Sequence, residues 1–366
     1  MANLAEIVRT FGPDYCARHG DRMPPSHLRA LNDIVACRTD VFGGHLAQCN
    51  QCGHQHYSYH SCRNRSCPTC HAGDRQRWLD KRQAQLLPIP YYHVVFTLPE
   101  ELRQSVRRQQ KALYAALFQA AAEALQTLCA DARYVGGDIG LLAVLHTWTR
   151  QLIFHPHVHC LVTGGGLTQN GQWFTARKKY LVPVTVLSQI FRAKFMALAR
   201  VACPEENFPE SIWEKDWVVY CKPAVQGSKK LLDYLGRYVH SIAISNRRIL
   251  RVHKGQITFE YKDSRDDRWK TTTMPGEEFL RRYLQHVLPR GFHKVRYYGL
   301  FSPRNTSRLR RAQWGLSFQQ EKKQTETDVP TTKSDDNEQP MDCPQCAGGV
   351  MVIISWVRRA TRGPPR

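Results

Sequence analysis

Two Cys-x-x-Cys pairs near the start of the chain limit what its first part can fold into. Cys49 and Cys52 form the first pair, Cys67 and Cys70 form the second, and fourteen residues separate the two pairs. Four thiolates arranged in two such pairs are typical of a tetrahedral zinc site. We therefore predict a structural zinc ion that stabilises residues 1–87, because a unit of that size cannot bury enough apolar surface alone.

Other cysteines and histidines lie close to these pairs in the sequence. A second zinc ion that uses some of them is an open alternative, and the nearby ligand types are Cys37, Cys62, His54, His56, His60 and His71. Cys343 and Cys346 form a third pair near the C-terminus, but no fourth pair follows it. We predict that this third pair binds no metal, and that a chain ending near residue 318 keeps its zinc.

The charge of the chain indicates a polyanionic partner. The sequence of 366 residues has 52 Lys and Arg against 31 Asp and Glu, which gives a net charge of +21. Such an excess is typical of proteins that neutralise phosphates. Neither a secretory signal nor an apolar run long enough to span a bilayer is visible, so we expect a cytoplasmic protein with reduced cysteines and no membrane partner.

A histidine-rich segment follows, with the sequence Phe154-His155-Pro156-His157-Val158-His159. Its composition predicts a strand, on which His157 and His159 point to the same face with Cα atoms roughly 7 Å apart. Both rings can then bind one divalent ion. His146 is the preferred third ligand, because a hairpin between Thr147 and Pro156 places it beside His157. Gln151 and His155 stay open as alternatives.

A pair of tyrosines lies about 75 residues further along the chain. Residues 228–240 are predicted to form a helix, and Tyr234 and Tyr238 are four residues apart, so they share one helical face. Metal-binding histidines and paired tyrosines together are what a protein needs to cut a DNA strand and hold its end covalently.

Three motifs carry a resemblance to a known family. They are His155-Pro156-His157-Val158-His159, Tyr234-Leu235-Gly236-Arg237-Tyr238 and Ile244-Ser245-Asn246-Arg247-Arg248-Ile249. With the cysteine-rich start, the chain resembles the two-tyrosine rolling-circle HUH transposases of bacterial insertion sequences over about residues 10–315. Such proteins often have a histidine before the Cys-Pro pair, where this chain has Ser66, so one possible zinc ligand is missing.

The resemblance implies a transposase that nicks and rejoins single-stranded DNA through a 5′-phosphotyrosine intermediate. Tyr234 and Tyr238 would be the nucleophiles, and His157, His159 and His146 would hold Mg²⁺ or Mn²⁺. Partners would be single-stranded DNA at the ends of the mobile element and target DNA, with host replication proteins as further candidates. The arginines predicted to bind DNA are Arg63, Arg65, Arg237, Arg247 and Arg248.

The predicted fold class is α+β. An N-terminal zinc-binding domain (1–87) precedes an HUH catalytic domain (88–318) with a split βαβ, ferredoxin-like antiparallel sheet. Residues 319–366 are predicted to be a disordered linker and a short C-terminal segment, because 319–340 has almost no apolar residues.

Two other functions fit the same sequence. A plasmid replication initiator or relaxase would use the same chemistry, whereas a non-enzymatic zinc-ribbon regulator would bind DNA and make no use of Tyr234 and Tyr238. The recognised DNA ends, the order in which the tyrosines act and the oligomeric state stay open.

Overall fold

The structure is a computed structural model of the chain. It describes residues 2–70, 78–79, 82–83, 85–176, 180–224, 236, 239, 243–263, 265–321 and 341–360. Within these ranges, no helix has the length and apolar character needed to cross a membrane.

The N-terminal unit begins with two packed helices and continues into a hairpin. The side chain of Asn3 accepts a hydrogen bond from the backbone N–H of Glu6, which caps the first helix. The elements are α1 (Leu4–His19), α2 (Pro25–Val35), β1 (Gly44–Cys49) and β2 (Gln55–Tyr59).

The middle of the chain alternates strands and helices, as predicted. One helical region is interrupted at Gln109, and Gly165 and Gly166 lie in a short strand. The elements are β3 (Tyr91–Thr97), α3 (Arg103–Arg108), α4 (Gln110–Ala130), β4 (Gly140–Trp148), β5 (Phe154–Thr163), β6 (Gly165–Leu167), β7 (Trp173–Thr175), α5 (Val184–Ala202) and β8 (Val219–Pro223).

The last part of the chain adds a second small sheet and four further elements. A meander of three antiparallel strands packs against a helix whose buried residues include Phe279 and Tyr283. The elements are β9 (Ile249–His253), β10 (Gln256–Lys262), β11 (Trp269–Pro275), α6 (Gly276–Leu284), β12 (Val295–Gly299), α7 (Thr306–Glu321) and β13 (Met351–Val357).

The central sheet has five strands in the order β12-β4-β5-β3-β8, and every neighbouring pair is antiparallel. Strands β3 and β4 are joined through α4 and run in the same direction with β5 between them. Strands β5 and β8 are joined through α5 and have β3 between them. This is the predicted split βαβ arrangement, and it confirms the α+β class; β12 extends the sheet beyond the predicted strands.

The two faces of this sheet have different roles. Val94, Leu145 and Cys160 are fully buried and belong to the main apolar core, in which α4 and α5 cover their face. Because strand side chains alternate, the residues between them point to the opposite face. That opposite face carries His146, His157 and His159. The helices α4 and α5 therefore pack on the side of the sheet away from the histidines.

The C-terminal segment belongs in space to the N-terminal unit. Strand β13 pairs antiparallel with β1, from Gly44 opposite Val357 to Cys49 opposite Met351. Residues 322–340, most of the predicted disordered linker, lie outside the described residues. The expectation that the chain can end near residue 318 without consequence for the zinc-binding unit is therefore revised.

Candidate active site and cysteine clusters

Three histidines converge on the open face of the central sheet. The strand register places His146 directly opposite His157 and places His159 opposite Val144. One ring nitrogen from each histidine lies within 4.8 Å of the others. The ring centroids are 4.6 Å apart for His146 and His159 and 4.8 Å apart for His157 and His159. The predicted trio is thus brought together by the hairpin between β4 and β5.

Hydrogen bonds fix which nitrogen each ring presents. Nδ1 of His157 lies 2.7 Å from the backbone oxygen of His155, to which it donates, so Nε2 of His157 keeps its lone pair. Nδ1 of His159 lies 2.9 Å from Nε2 of His93. When His159 is the donor in this pair, its Nε2 also keeps a lone pair.

His93 is a site residue that the sequence analysis missed. It lies on β3, its ring stacks on that of His159 at 5.1 Å, and only 6% of its surface is exposed. A single histidine within a strand carries no motif. The only signals of its role are the sheet face on which His93 lies and the register of β3 against β5. That register is set by strand pairing and not by local sequence.

Burial keeps His157 and His159 neutral. It lowers the pKa of His157 to about 4, although the hydrogen bond to the His155 backbone oxygen acts in the opposite direction. Burial, followed by the nearby His146 and His157, also places the pKa of His159 well below its ordinary value. Burial likewise lowers the pKa of Lys294 to about 7. Neutral imidazole is the form that binds a metal, so the rings need not lose a proton to do so at pH 7.

The alternative third ligands lie outside the trio. The ring of His155 is 5.3 Å from that of His157, but His155 is not among the three residues whose ligand atoms converge. Gln151 lies in the turn after β4, where its backbone oxygen accepts a hydrogen bond from Arg282. Of the two histidine candidates, His146 and His155, only His146 joins His157 and His159.

The predicted nucleophiles Tyr234 and Tyr238, and with them Arg237, lie outside the described residues. Gly236 and Val239 are described, both in helical conformation. Val239 is buried in an apolar cluster with Leu142, Val144 and Leu161. These three belong to the same sheet face as the histidines, and Val144 is the cross-strand neighbour of His159.

The cysteines form two separate clusters, not the single site predicted from Cys49, Cys52, Cys67 and Cys70. The first cluster, named the N-terminal cluster, contains Cys37, Cys62, Cys67 and Cys70. The second, named the two-end cluster, contains Cys49, Cys52, Cys343 and Cys346. In each cluster the four sulfur atoms all lie within 4.8 Å of one another.

The fold explains why the two pairs separate. Cys49 and Cys52 lie at the β1–β2 turn, whereas the chain after β2 returns to the end of α2, where the backbone N–H of Arg38 bonds to the oxygen of His60. This return brings Cys62 and Cys70 to Cys37; the Sγ–Sγ distances are 3.3 Å from Cys70 to Cys62 and 3.4 Å to Cys37. Sequence spacing alone did not indicate this return.

Sulfur chemistry in the N-terminal cluster favours metal binding. The contact between the Cys62 and Cys67 side chains lowers the pKa of Cys67 to about 5 and raises the pKa of Cys62 above its ordinary value. The two sulfurs therefore share a proton, and Cys67 takes the thiolate form, which is the form that binds zinc. Cys67 is also 1% exposed and packs in the apolar core with Leu31, Ile34 and Tyr283.

The arginines predicted to bind DNA differ in their surroundings. Arg65 donates hydrogen bonds to the backbone oxygens of Leu288, Pro289 and Phe292, so its guanidinium joins the cysteine-rich segment to the loop before β12. Arg248 donates to the backbone oxygens of Glu260 and Arg150. Both therefore have a structural use that the sequence analysis did not predict. Arg63 and Arg247 are exposed.

Two family models match the chain. A family model described as "Transposase zinc-binding domain" matches residues 7–98, and one described as "Putative transposase" matches residues 140–309. Over 388 aligned residues, the chain is 38% identical to "Putative transposase y4qJ" of Sinorhizobium fredii (strain NBRC 101917 / NGR234), covering 99% of this chain and 97% of the relative. This chain belongs to the IS91-type transposase family.

A second relative agrees with this assignment. The transposase is 29% identical over 299 residues to the "Transposase for insertion sequence element IS801" of Pseudomonas savastanoi pv. phaseolicola, covering 76% of this chain and 70% of the relative. No solved structure matches. The zinc-binding model spans the N-terminal cluster, so the N-terminal unit of the transposase is a zinc-binding domain. The second model spans the histidine trio.

Proposed function

We propose that this transposase nicks and rejoins single-stranded DNA through a 5′-phosphotyrosine intermediate. The observation that carries the proposal is the convergence of three imidazoles on the open sheet face. The segment that contains Tyr234 and Tyr238 includes Val239, which packs on that same face. A phosphate held at the histidines would then lie on the same sheet face as Val239.

The donor set fits one divalent ion. His146, His157 and His159 would hold it through ring nitrogens, and among the described residues no carboxylate belongs to their cluster. Nitrogen ligands suit transition metals, whereas Mg²⁺ prefers oxygen, so we propose Mn²⁺ ahead of Mg²⁺. When bound, such an ion neutralises charge on a non-bridging phosphate oxygen and orients the phosphate.

The tyrosines supply the covalent step. The phenol oxygen of Tyr234 or Tyr238 attacks phosphorus, the bond to the 3′ oxygen breaks, and a free 3′ hydroxyl leaves. The phosphotyrosine ester conserves the energy of the broken bond, so the reverse attack by a 3′ hydroxyl rejoins DNA without ATP. Two tyrosines would allow the enzyme to hold two DNA ends at once, as moving an element requires.

The relatives favour transposition over the alternatives. Both are named as transposases, which supports the mobile element as substrate ahead of a plasmid origin. A regulator that only binds DNA would form no covalent complex.

The test uses a 3′-labelled single-stranded oligonucleotide that carries an end of the element, because the fragment downstream of the nick is the one that would stay bound to the tyrosine. With Mn²⁺, we expect a complex that survives denaturing electrophoresis, and we expect its loss when a chelator is present or when the strand is fully paired. Cleavage that leaves a free 5′ phosphate and no complex would instead indicate hydrolysis by water and would overturn the proposal.

His93 is expected to act as a positioning residue for His159. His93→Phe removes the partner of the His159 Nδ1 atom, and loss of such a partner typically weakens metal binding by about 10–100-fold. We expect a corresponding rise in the Mn²⁺ concentration that gives half-maximal cleavage, with partial rescue in His93→Gln, which keeps a hydrogen-bonding group.

Tyr220→Phe is the matched control for this variant. Tyr220 contacts the edge of the His93 ring at 6.4 Å, and no contact between Tyr220 and the trio is seen among the described residues. Tyr220→Phe should reach half-maximal cleavage at the same Mn²⁺ concentration as the parent. If His93→Phe also reaches it at the parent concentration, His93 only fills space.

A further inference from the structure

We propose that a second zinc ion joins the two ends of the chain, held by the four thiolates of the two-end cluster. Cys49 and Cys52 come from the N-terminal unit, and Cys343 and Cys346 come from the C-terminal segment. The family models match residues 7–98 and 140–309, so half of this ligand set lies outside both matched ranges.

The sulfur geometry fits a tetrahedral four-thiolate site. The Sγ atoms of Cys49 and Cys346 are 3.6 Å apart, and those of Cys52 and Cys343 are 3.7 Å apart. Zinc–sulfur bonds of about 2.3 Å at the tetrahedral angle require sulfur–sulfur distances of about 3.8 Å. A disulfide requires about 2.05 Å, so neither cross-pair is a disulfide.

Backbone groups prepare both pairs for thiolate charge. The N–H groups of Gln51 and Cys52 each point to the Cys49 sulfur at 3.4 Å, and the N–H of Gln345 points to the Cys343 sulfur at 3.3 Å. Hydrogen bonds from backbone N–H groups favour the charged form of an acceptor. In each Cys-x-x-Cys turn, therefore, the sulfur of the first cysteine accepts from backbone N–H groups in the same way. This similarity is expected of two halves of one metal site.

Gly349 keeps the centre of the cluster open. A Cβ atom at this position would lie 2.5 Å from the sulfur of Cys49 and 2.7 Å from that of Cys346. The backbone N–H of Cys343 also bonds to the oxygen of Gly349 at 2.7 Å, which closes the second turn. Only glycine lets the chain pass this close to the sulfurs.

Main-chain pairing brings the two halves of the cluster into register. Strands β1 and β13 pair along their length, and Asn50 and Val350 bond to each other next to the cluster: the N–H of Asn50 donates to the oxygen of Val350, and the N–H of Val350 donates to the side-chain oxygen of Asn50. Cys52 and Cys343 are 291 residues apart in the chain. The zinc ion would thus close nearly the whole polypeptide into a loop and make the C-terminal segment part of the zinc-binding unit.

Zinc counting on the full chain tests the proposal directly. After dialysis under reducing conditions, Cys343→Ser plus Cys346→Ser should contain one zinc ion fewer per chain than the parent. Cys49→Ser plus Cys52→Ser should lose the same ion, so the variant with all four changes should also lose only one. Cys16→Ser plus Cys221→Ser is the control, because neither residue belongs to a cysteine cluster, and it should keep the parent zinc content.

A second measurement remains informative if the serine variants do not fold. A protease site is placed between residues 322 and 340 of the otherwise unchanged chain, and the purified protein is cut there. The C-terminal fragment should co-elute with the body in gel filtration and should be released by a zinc chelator. Parent zinc content in Cys343→Ser plus Cys346→Ser, or release of the fragment without a chelator, would overturn the proposal.

Discussion

His157→Ala is expected to lower the rate of single-strand cleavage by about 10³-fold, because the charge stabilisation that a metal ion supplies is worth several kcal/mol. His157 is buried on the sheet face and faces both His146 and His159. Its loss would leave two ring nitrogens, which hold a divalent ion far more weakly than three. The rate is measured in single turnover on a labelled oligonucleotide with excess protein.

Affinity for DNA should change little in this variant. Phosphate contacts supply most of the binding free energy, and the chain carries a net charge of +21. Fluorescence anisotropy with the same oligonucleotide checks this separately. His155→Ala and Gln151→Ala are the matched controls from the same hairpin and should cleave normally. If His146→Ala cleaves at the parent rate and Gln151→Ala is inactive, the third ligand is Gln151 and not His146.

Cys62→Ser plus Cys67→Ser is expected to unfold the zinc-binding unit. Zinc binding in small domains contributes about 10–16 kcal/mol of apparent free energy, comparable to the whole stability of a typical domain of about 5–15 kcal/mol. Cys67 is buried against Leu31, Ile34 and Tyr283, so loss of the ion would also loosen the core that joins this unit to α6.

Hydrogen exchange monitors this change region by region. Backbone amides of residues 2–70 should lose protection, whereas those of β4 and β5 should keep it. Cys16→Ser is the control, because Cys16 packs on the same core but lies in neither cysteine cluster. Full protection of residues 2–70 in the double variant would show that the N-terminal cluster does not stabilise this unit.

The sheet and its histidine face could be predicted because both depend on local patterns. Strands β3 and β5 are rich in β-branched and aromatic residues, and the alternation of side chains along β5 alone places His157 and His159 on one face. The third histidine followed from one further step, the short hairpin between β4 and β5.

The parts that the sequence did not predict depend on long-range contacts. Strands β13 and β1 pair although most of the sequence lies between them, and no local pattern identifies β1 as the partner of β13. The same holds for the cysteines: spacing predicted that the first two pairs share one metal ion and that the third pair binds none, but the path of the chain decides which sulfur atoms meet. The sequence predicts that Arg65 binds DNA, but a charge pattern cannot show that three backbone oxygens also bond to its guanidinium.

The covalent protein–DNA complex tests the central claim most directly. Wild-type protein and the variant Tyr234→Phe plus Tyr238→Phe are each incubated with Mn²⁺ and the labelled single strand, and the products are separated under denaturing conditions. Phenylalanine keeps the ring and removes only the nucleophilic oxygen. We predict a complex with wild-type protein, mapped by mass spectrometry to Tyr234 or Tyr238, and none with the double variant, which should still bind the oligonucleotide. A complex of undiminished amount in the double variant would contradict the proposed chemistry.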